Sequence, residues 1–445
     1  LRVSYFAYSL VFCCCAAVSH SQQPSLYFQK LTTENGLSHN KINCILQDQR
    51  GFIWIGTDDG LNRYDGNKFI VFRNKPSDSS SLTGNIITDI IEDKEGVLWI
   101  STVDGGLAKY DYRLPPRQQF QQFRHSDIDS LSIPVNIVNG LLQDSRGYLW
   151  LATSGYGLLR FDKKRQKFDQ PVKDKARTVL VLAMDSHGMI WAGRQGGGLL
   201  KVDPETFYTM RDERYNNVYM KLPHMTVTSV FKDSRNDMWL GSWDKVVYRY
   251  QNGRGGSNEK FPLSSDDGQA FAEDSSGRIW IGGKFNGLYI FEPASKKHFH
   301  YSHDPSREGS LADNQVNCIY IDRSGITWVG TNRGLNVHDP GQQQFTQTFL
   351  PRGDPRQKIV IYDFSRSGSG NLMIGTNEGI YIQRPNGTFS HLPLTFEGLP
   401  LSVTKFFKAS NGQLYLGTNV SLFLFNEKTN TLSRLPNTEK DVVMN

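Results

Sequence analysis

A tryptophan returns to the same slot of the same motif along this chain. It stands at Trp54, Trp99, Trp150, Trp191, Trp239, Trp280 and Trp328, at intervals of 41 to 51 residues, and these are seven of the eight tryptophans in 445 residues. The units read DQRGFIWIGTDDGLNRYD (48–65), DKEGVLWISTVDGGLAKYD (93–111), DSRGYLWLATSGYGLLRFD (144–162), DSHGMIWAGRQGGGLLKVD (185–203), DSRNDMWLGSWDKVVYRY (233–250), DSSGRIWIGGKFNGLYIFE (274–292) and DRSGITWVGTNRGLNVHD (322–339). Two weaker copies put Met373 and Tyr415 in the tryptophan slot. A period of this size marks a supersecondary unit that cannot bury its faces alone and must stack on its neighbours.

Each unit can be read locally. An apolar, β-branched run such as Ile42–Leu46 reads as a strand. The D-x-x-G that follows is a tight turn, in which Asp bonds backbone amides and Gly supplies a positive φ. Phe52–Thr57 is apolar at consecutive positions, as in a strand covered on both faces. A second turn, Asp58-Asp59-Gly60, leads to a third strand, and a segment such as Lys68–Arg73 supplies a fourth. Four antiparallel strands per unit, with a large Trp set between neighbours, predict an all-β β-propeller.

Leu26–Leu31 resembles a fourth strand that arrives before any first strand. It is expected to complete the blade of the seventh motif and to close a seven-bladed ring over residues 24–339, since closure removes open edges. Phe345–Leu350 then stands before the two weak motifs as Leu26–Leu31 stands before the first. Residues 340–445 are therefore expected to start a second, incomplete propeller of two blades. A single nine-bladed ring is the alternative.

Composition narrows the function classes. Lys+Arg 50 against Asp+Glu 44 leaves +6, spread along the chain, with no basic stripe for nucleic acid. Residues 1–21 combine Arg2, an apolar run from Tyr5 to Val18 and small residues at Ser19 and Ser21, the pattern of a signal peptide. The chain is thus expected to be exported, and periplasmic. Cys13, Cys14 and Cys15 would leave with the leader. Cys44 and Cys318 remain, each four residues before a repeat Asp, and read as small apolar residues in equivalent core slots rather than as a disulfide.

With the units aligned, the chain resembles the two-component regulator propeller family. The resemblance rests on D-x-x-G-x-x-W-I-G-T followed by G-L and an aromatic-Asp pair, best seen at Asp48–Asp65, and on the connectors GLSHNKIN (36–43), SLTGNIIT (81–88) and SLADNQVN (310–317). It implies the extracytoplasmic sensor region of a Bacteroidetes-type hybrid histidine kinase. The implied role is to detect an oligosaccharide and relay its presence to a membrane-bound kinase beyond these residues, tethered at the inner membrane and paired as a homodimer in the intact receptor.

In a propeller, the loops between second and third strands emerge on one face around the channel. The variable positions there include Tyr156, Arg194, Trp243, Lys284, Phe285 and Arg333, with Gln195, Asp244, Asn286 and Asn332 beside them. Rings that stack on sugars and cations that pair with carboxylate or sulfate groups make these the expected ligand residues, for an acidic oligosaccharide in the sharper version. The fifth motif departs most from the pattern, with Asn236-Asp237 at its first turn and Trp243-Asp244-Lys245 at its second. His298, His300 and His303 fall on an outer strand and connector where a His–Asp pattern recurs as part of the repeat, at His125–Asp127 and His303–Asp304, so no metal or cofactor is expected. The glycine strings at 196–198, 253–256 and 367–370 read as turns. The repeat carboxylates have a turn to hold, so no enzymatic activity is expected. A propeller lyase or glycosidase and a protein-interaction scaffold are the alternatives.

Overall fold

The protein is described by a computed structural model over residues 26–173, 178–210, 226–251, 258–263, 266–341, 350, 358–385 and 387–435. The expected leader at residues 1–21 and all but the last residue of Phe345–Leu350 lie outside the described residues. The chain divides into two compact units, Leu1–Gln344 and Phe345–Asn445.

In the first unit, every Trp motif builds a four-stranded antiparallel sheet, in simple sequence order for the first six. The first sheet is Ile42–Gln47, Ile53–Thr57, Gly60–Tyr64 and Phe69–Phe72. The fifth is Val227–Lys232, Met238–Ser242, Val246–Tyr250 and Asn258–Pro262, and the sixth is Gly268–Glu273, Ile279–Gly283, Leu288–Glu292 and Lys297–Tyr301. The seventh has three strands from its own motif, Val316–Ile321, Thr327–Thr331 and Gly334–His338. Its outer strand is Gln29–Leu31, three residues of the expected six, paired with Leu335–Val337.

One carboxylate organises each turn. Asp144 Oδ1 accepts the amides of Arg146 and Tyr148 at 3.0 Å each, while Oδ2 accepts Trp150 Nε1 at 3.0 Å. The same indole–carboxylate bond, 2.8 to 3.0 Å long, recurs at Trp54, Trp99, Trp191, Trp239, Trp280 and Trp328. Gly147 takes φ 89° to turn the chain back under the carboxylate. Each ring then packs on the following sheet. Trp54 lies among Ile87, Leu98 and Ile100, Trp239 among Phe271, Ile279 and Ile281, and Trp328 among Ile42, Ile45 and Ile53.

A second device joins the sheets at their inner strands. Every first strand carries a bulge at its second residue, the device that re-aims a side chain. At five of these positions the side chain reaches a carbonyl of the next sheet: Asn43 to Ile87, Thr88 to Val138, Asn139 to Val179, Thr228 to Gly268 and Asn317 to Ile42. Leu180 and Gln269 hold the two remaining bulge positions.

The expected fold class is corrected on closure. A seven-bladed propeller closed by an N-terminal strand, with two blades of an incomplete second, overstates what strand pairing does. Among the described residues each sheet stops at four strands, no ladder passes from one sheet to the next, and the sheets are not closed into a barrel. The physical reason lies in the buried faces: the sheets meet through indole rings and bulge side chains, not through their edges. The fold is an all-β array of repeated four-stranded antiparallel sheets.

Among its described residues the second unit has two such sheets and a short hairpin. The sheets are Ile361–Arg366, Leu372–Thr376, Gly379–Gln383 and Phe389–Leu392, then Val403–Lys408, Leu414–Thr418, Leu422–Asn426 and Thr431–Arg434. Here Ser367 and Ala409 stand where the Asp of the motif would be, six residues before Met373 and Tyr415. Ser367 Oγ still accepts the Asn371 amide at 3.0 Å. Neither Met373 nor Tyr415 brings an indole N–H that would need the lost carboxylate, so Asp and Trp have left together.

Removing a repeat carboxylate should expose this dependence. Asp144→Ala strands the buried Trp150 indole and two turn amides, and is expected to lower stability by about 2–4 kcal/mol in chemical denaturation. The double variant with Trp150→Phe should cost less than the sum of the two singles, because the orphaned donor is then gone.

Candidate functional site

The second-to-third-strand hairpins carry the expected ligand residues, and the fold sorts them into two groups. Trp243, Lys284 and Phe285 come together. The fifth hairpin, Trp243-Asp244-Lys245, has Lys245 at φ 63°, where the first and seventh sheets use Gly60 and Gly334. A side chain in this left-handed region costs about 1–2 kcal/mol, and residues of this kind gather at functional sites. The sixth hairpin, Lys284-Phe285-Asn286, lies beside it. Lys284 Nζ sits 5.5 Å from the Trp243 ring centre and 5.3 Å from that of Phe285, a cation between two aromatic faces. Both rings are open to solvent, at 45% and 55% exposure.

Two consecutive aspartates, which sequence reasoning did not single out, hold this arrangement, Asp266 by its carboxylate and Asp267 by its backbone carbonyl. Asp266 is fully buried and accepts the amides of Lys284, Phe285 and Asn286 at 2.8, 2.9 and 2.8 Å. That carboxylate lies so close to the end of the second strand that a Cβ on Gly283 would fall 1.9 Å from Asp266 Oδ2, so only glycine fits there. The Asp267 carbonyl accepts the Lys284 amide at 3.2 Å, which ties the two segments together. Burial pushes the Asp267 carboxyl up, and Lys284 opposes that rise while Asp266 adds to it. Asp244 accepts hydrogen bonds from Ser242 Oγ and from the Tyr248 hydroxyl. Burial and that Asp244 contact push the Tyr248 phenol well above its ordinary range.

The other expected residues lie apart from this cluster. Arg194 turns back on its own hairpin, with Nη2 donating to the carbonyls of Gly197 and Leu199. Arg333 pairs with Asp313 at 3.2 Å, with its side chain 74% exposed, a pair of small energetic weight. Tyr156 is exposed on the hairpin of the third sheet. Asn332 serves the inner joint, accepting from Asn317 at 2.9 Å. The other departure of the fifth motif, Asp237, is structural: it is buried in an ion pair with Arg249 at 2.7 Å. His300 and His303 bond the carbonyls of Asn286 and Leu311 at 2.6 Å each. Cys44 and Cys318 are free thiols. Burial pushes Cys318 to about 12.

A repeated sheet array with an aromatic-and-ammonium cluster on adjoining hairpins is the class of protein these features define. Five stretches of the chain, 36–59, 81–104, 132–155, 221–244 and 310–333, match the family model described as two component regulator propeller. A stretch of 61 residues is 43% identical to histidine kinase P4 of Formosa agariphila, covering 14% of this chain and 4% of that protein. The extracellular domain of the hybrid two component system BT3049 from B. thetaiotaomicron has a similar structure, with a TM-score of 0.66 and 20% identity over 93% of this chain and 61% of that one. The chain therefore spans only part of the relatives it matches. It is a propeller-type domain resembling the extracytoplasmic sensor regions of Bacteroidetes hybrid two-component systems.

The expectation of no enzymatic activity is corrected. Virginiamycin B lyase from Staphylococcus aureus shares the fold at a TM-score of 0.53 and 11% identity, over 71% of this chain and 98% of the lyase. Enzymes therefore use this fold, and a structural duty for the turn carboxylates excludes no chemistry elsewhere on the surface.

The Asp266 clamp yields a direct test. Asp266→Ala should lower hydrogen-exchange protection at the amides of Lys284, Phe285 and Asn286 by about ten- to a hundredfold, equivalent to about 1.4–2.8 kcal/mol. Amides in the first sheet should keep their wild-type exchange.

Proposed function

We propose that this chain is the extracytoplasmic, ligand-binding sensor region of a hybrid two-component system, and that its ligand is an oligosaccharide bound at Trp243, Lys284 and Phe285. The observation that carries the reading is the pair of exposed rings flanking one ammonium group, held by a fully buried carboxylate. Aromatic side chains left open to solvent at fixed positions suit the apolar faces of sugar rings, and the ammonium donates to hydroxyl or carboxylate oxygens. The family match and the likeness to extracellular receptor domains support the sensor role, an exported location and a histidine kinase as the receiving partner. In that role, binding would bias two arrangements of the intact receptor, with paired chains as the natural carrier of the signal. Tyr156, Arg194 and Arg333 are left outside the proposed contact set.

Calorimetric titration of the chain with oligosaccharides of defined length tests the reading. Trp243→Ala and Phe285→Ala are each expected to weaken binding by about tenfold or more, the scale of one lost stacking contact. Equal affinity in both variants would remove the site. Product analysis of the same mixtures reports any turnover.

A further inference from the structure

One position near the end of the third strand is filled alike in six of the seven sheets of the first unit. It holds Tyr64, Tyr110, Phe161, Val202, Tyr250 and Phe291, each opposite an apolar residue of the second strand. None of these side chains takes a charge near neutral pH. The five aromatic ones meet the tryptophan of the neighbouring sheet, with ring centres 5.2 to 6.0 Å apart. In the seventh sheet the position is His338, opposite Thr327. Its ring keeps the same contact, 5.9 Å from Trp280, but it is a side chain that titrates near neutrality.

The seventh sheet is also the one whose outer strand, Gln29–Leu31, comes from the other end of the unit's sequence. His338 is 5% exposed and holds the segment that leads into that strand. Its Nδ1 lies 3.1 Å from the Tyr27 carbonyl, which only accepts, so Nδ1 carries the hydrogen. The buried Phe28 ring lies 5.7 Å from the imidazole. The Phe28 amide donates to the Gly309 carbonyl at 2.9 Å. Leu26 and Phe28 border a cavity of about 280 Å³ with Tyr301, Arg307 and Leu311, so close packing does not surround the segment. Trp280, by contrast, is locked to Asp274 at 2.9 Å. Of the two rings against His338, Phe28 is the one on a three-residue edge strand, and it is the one that yields.

We infer that His338 is an acid-operated latch on the outer strand of the seventh sheet: the neutral ring keeps residues 26–31 seated, and the imidazolium releases them. A second proton falls on Nε2 and leaves the Tyr27 bond in place, since Nδ1–H still donates. What changes is the cost of a charge closed off from water, which is relieved once Phe28 withdraws. The charged groups around the ring are Asp339 on its own strand, the Arg278–Asp274 pair of the sixth sheet, Lys30 on the outer strand, and Asp304 and Arg307 on the connector. Burial lowers the His338 pKa, the Tyr27 carbonyl and Asp339 oppose this, Arg278 adds to it, and the net direction is down. The hold is therefore complete above the ordinary histidine value of about 6.5 and is lost as pH falls through the lower folded value. Release leaves the seventh sheet with its own three strands and bares the edge of Gly334–His338.

Hydrogen exchange of the whole chain at about pH 7.5 and about pH 5, with intrinsic rates corrected for pH, tests the latch. Protection at the amides of residues 28–31 is expected to fall about tenfold or more, because one linked proton shifts the opening equilibrium by up to about tenfold per pH unit. Amides of Ile53–Thr57 in the first sheet should change less than about twofold. His338→Phe, which puts the residue of Phe161 and Phe291 in the slot, should show equal protection of residues 28–31 at both pH values. An NMR titration of the His338 ring in the unaltered chain should give a pKa below about 6.5 and stands whether or not the variant folds. Unchanged protection of residues 28–31 in the unaltered chain, the same loss in His338→Phe, or a ring pKa at or above the ordinary value would each overturn the inference.

Discussion

The bond between a turn carboxylate and an indole N–H is what the first unit depends on. A tryptophan is the largest side chain available to fill the gap between two stacked sheets, but its N–H cannot be buried there unanswered. The repeat Asp answers it with one oxygen and ties the turn between the first two strands with the other. Sheet, turn and sheet-to-sheet joint are thereby settled by seven residues of sequence. Other charges lean on the same carboxylates. Lys201 pairs with Asp185 at 2.7 Å and Lys163 with Asp93 at 2.8 Å. Burial pushes both carboxyls up, and the hydrogen bonds from lysine and indole outweigh it and hold both below the ordinary range.

Because that unit carries the fold, the hairpins at the other end of the second strand are free to vary. The fifth motif uses this freedom in two different ways. At its first turn, Asn236 takes the left-handed conformation that glycine supplies elsewhere, and Asp237 joins Arg249 inside the sheet. At its second, Lys245 accepts the same strain while Trp243 is placed in solvent beside Lys284. The first departure repairs the sheet internally, whereas the second builds a surface. Identical deviations from a repeat pattern thus have opposite meanings, and burial of the side chain separates them.

Much of the fold was legible in the sequence because it rests on local, periodic chemistry. The tryptophan slot, the D-x-x-G turn and the strand order within each sheet follow from spacing alone, and the structure bears them at the expected residues. Closure was not legible, since edges and faces read alike in a one-dimensional pattern. Catalytic capacity was not legible either, because a turn carboxylate says nothing about chemistry elsewhere on a fold shared with lyases. Of the candidate site, Trp243, Lys284 and Phe285 could be picked from position and residue type. Asp266 and Asp267 could not: they precede a first strand, and their role depends on a hairpin 18 to 20 residues away. The surroundings of Arg194 and Arg333 were not legible, because sequence gives a side chain's charge but not the carbonyls or the Asp313 it turns towards.

The central claim, that seven indoles are locked to seven turn carboxylates while the eighth tryptophan faces solvent, is open to one spectrum. Nitrogen-15 labelling at tryptophan gives one indole N–H signal per residue, and hydrogen exchange can be followed at each. The account predicts seven slowly exchanging signals, from Trp54, Trp99, Trp150, Trp191, Trp239, Trp280 and Trp328, and one rapidly exchanging signal from Trp243. Rapid exchange at several of the seven, or a protected Trp243, would contradict it.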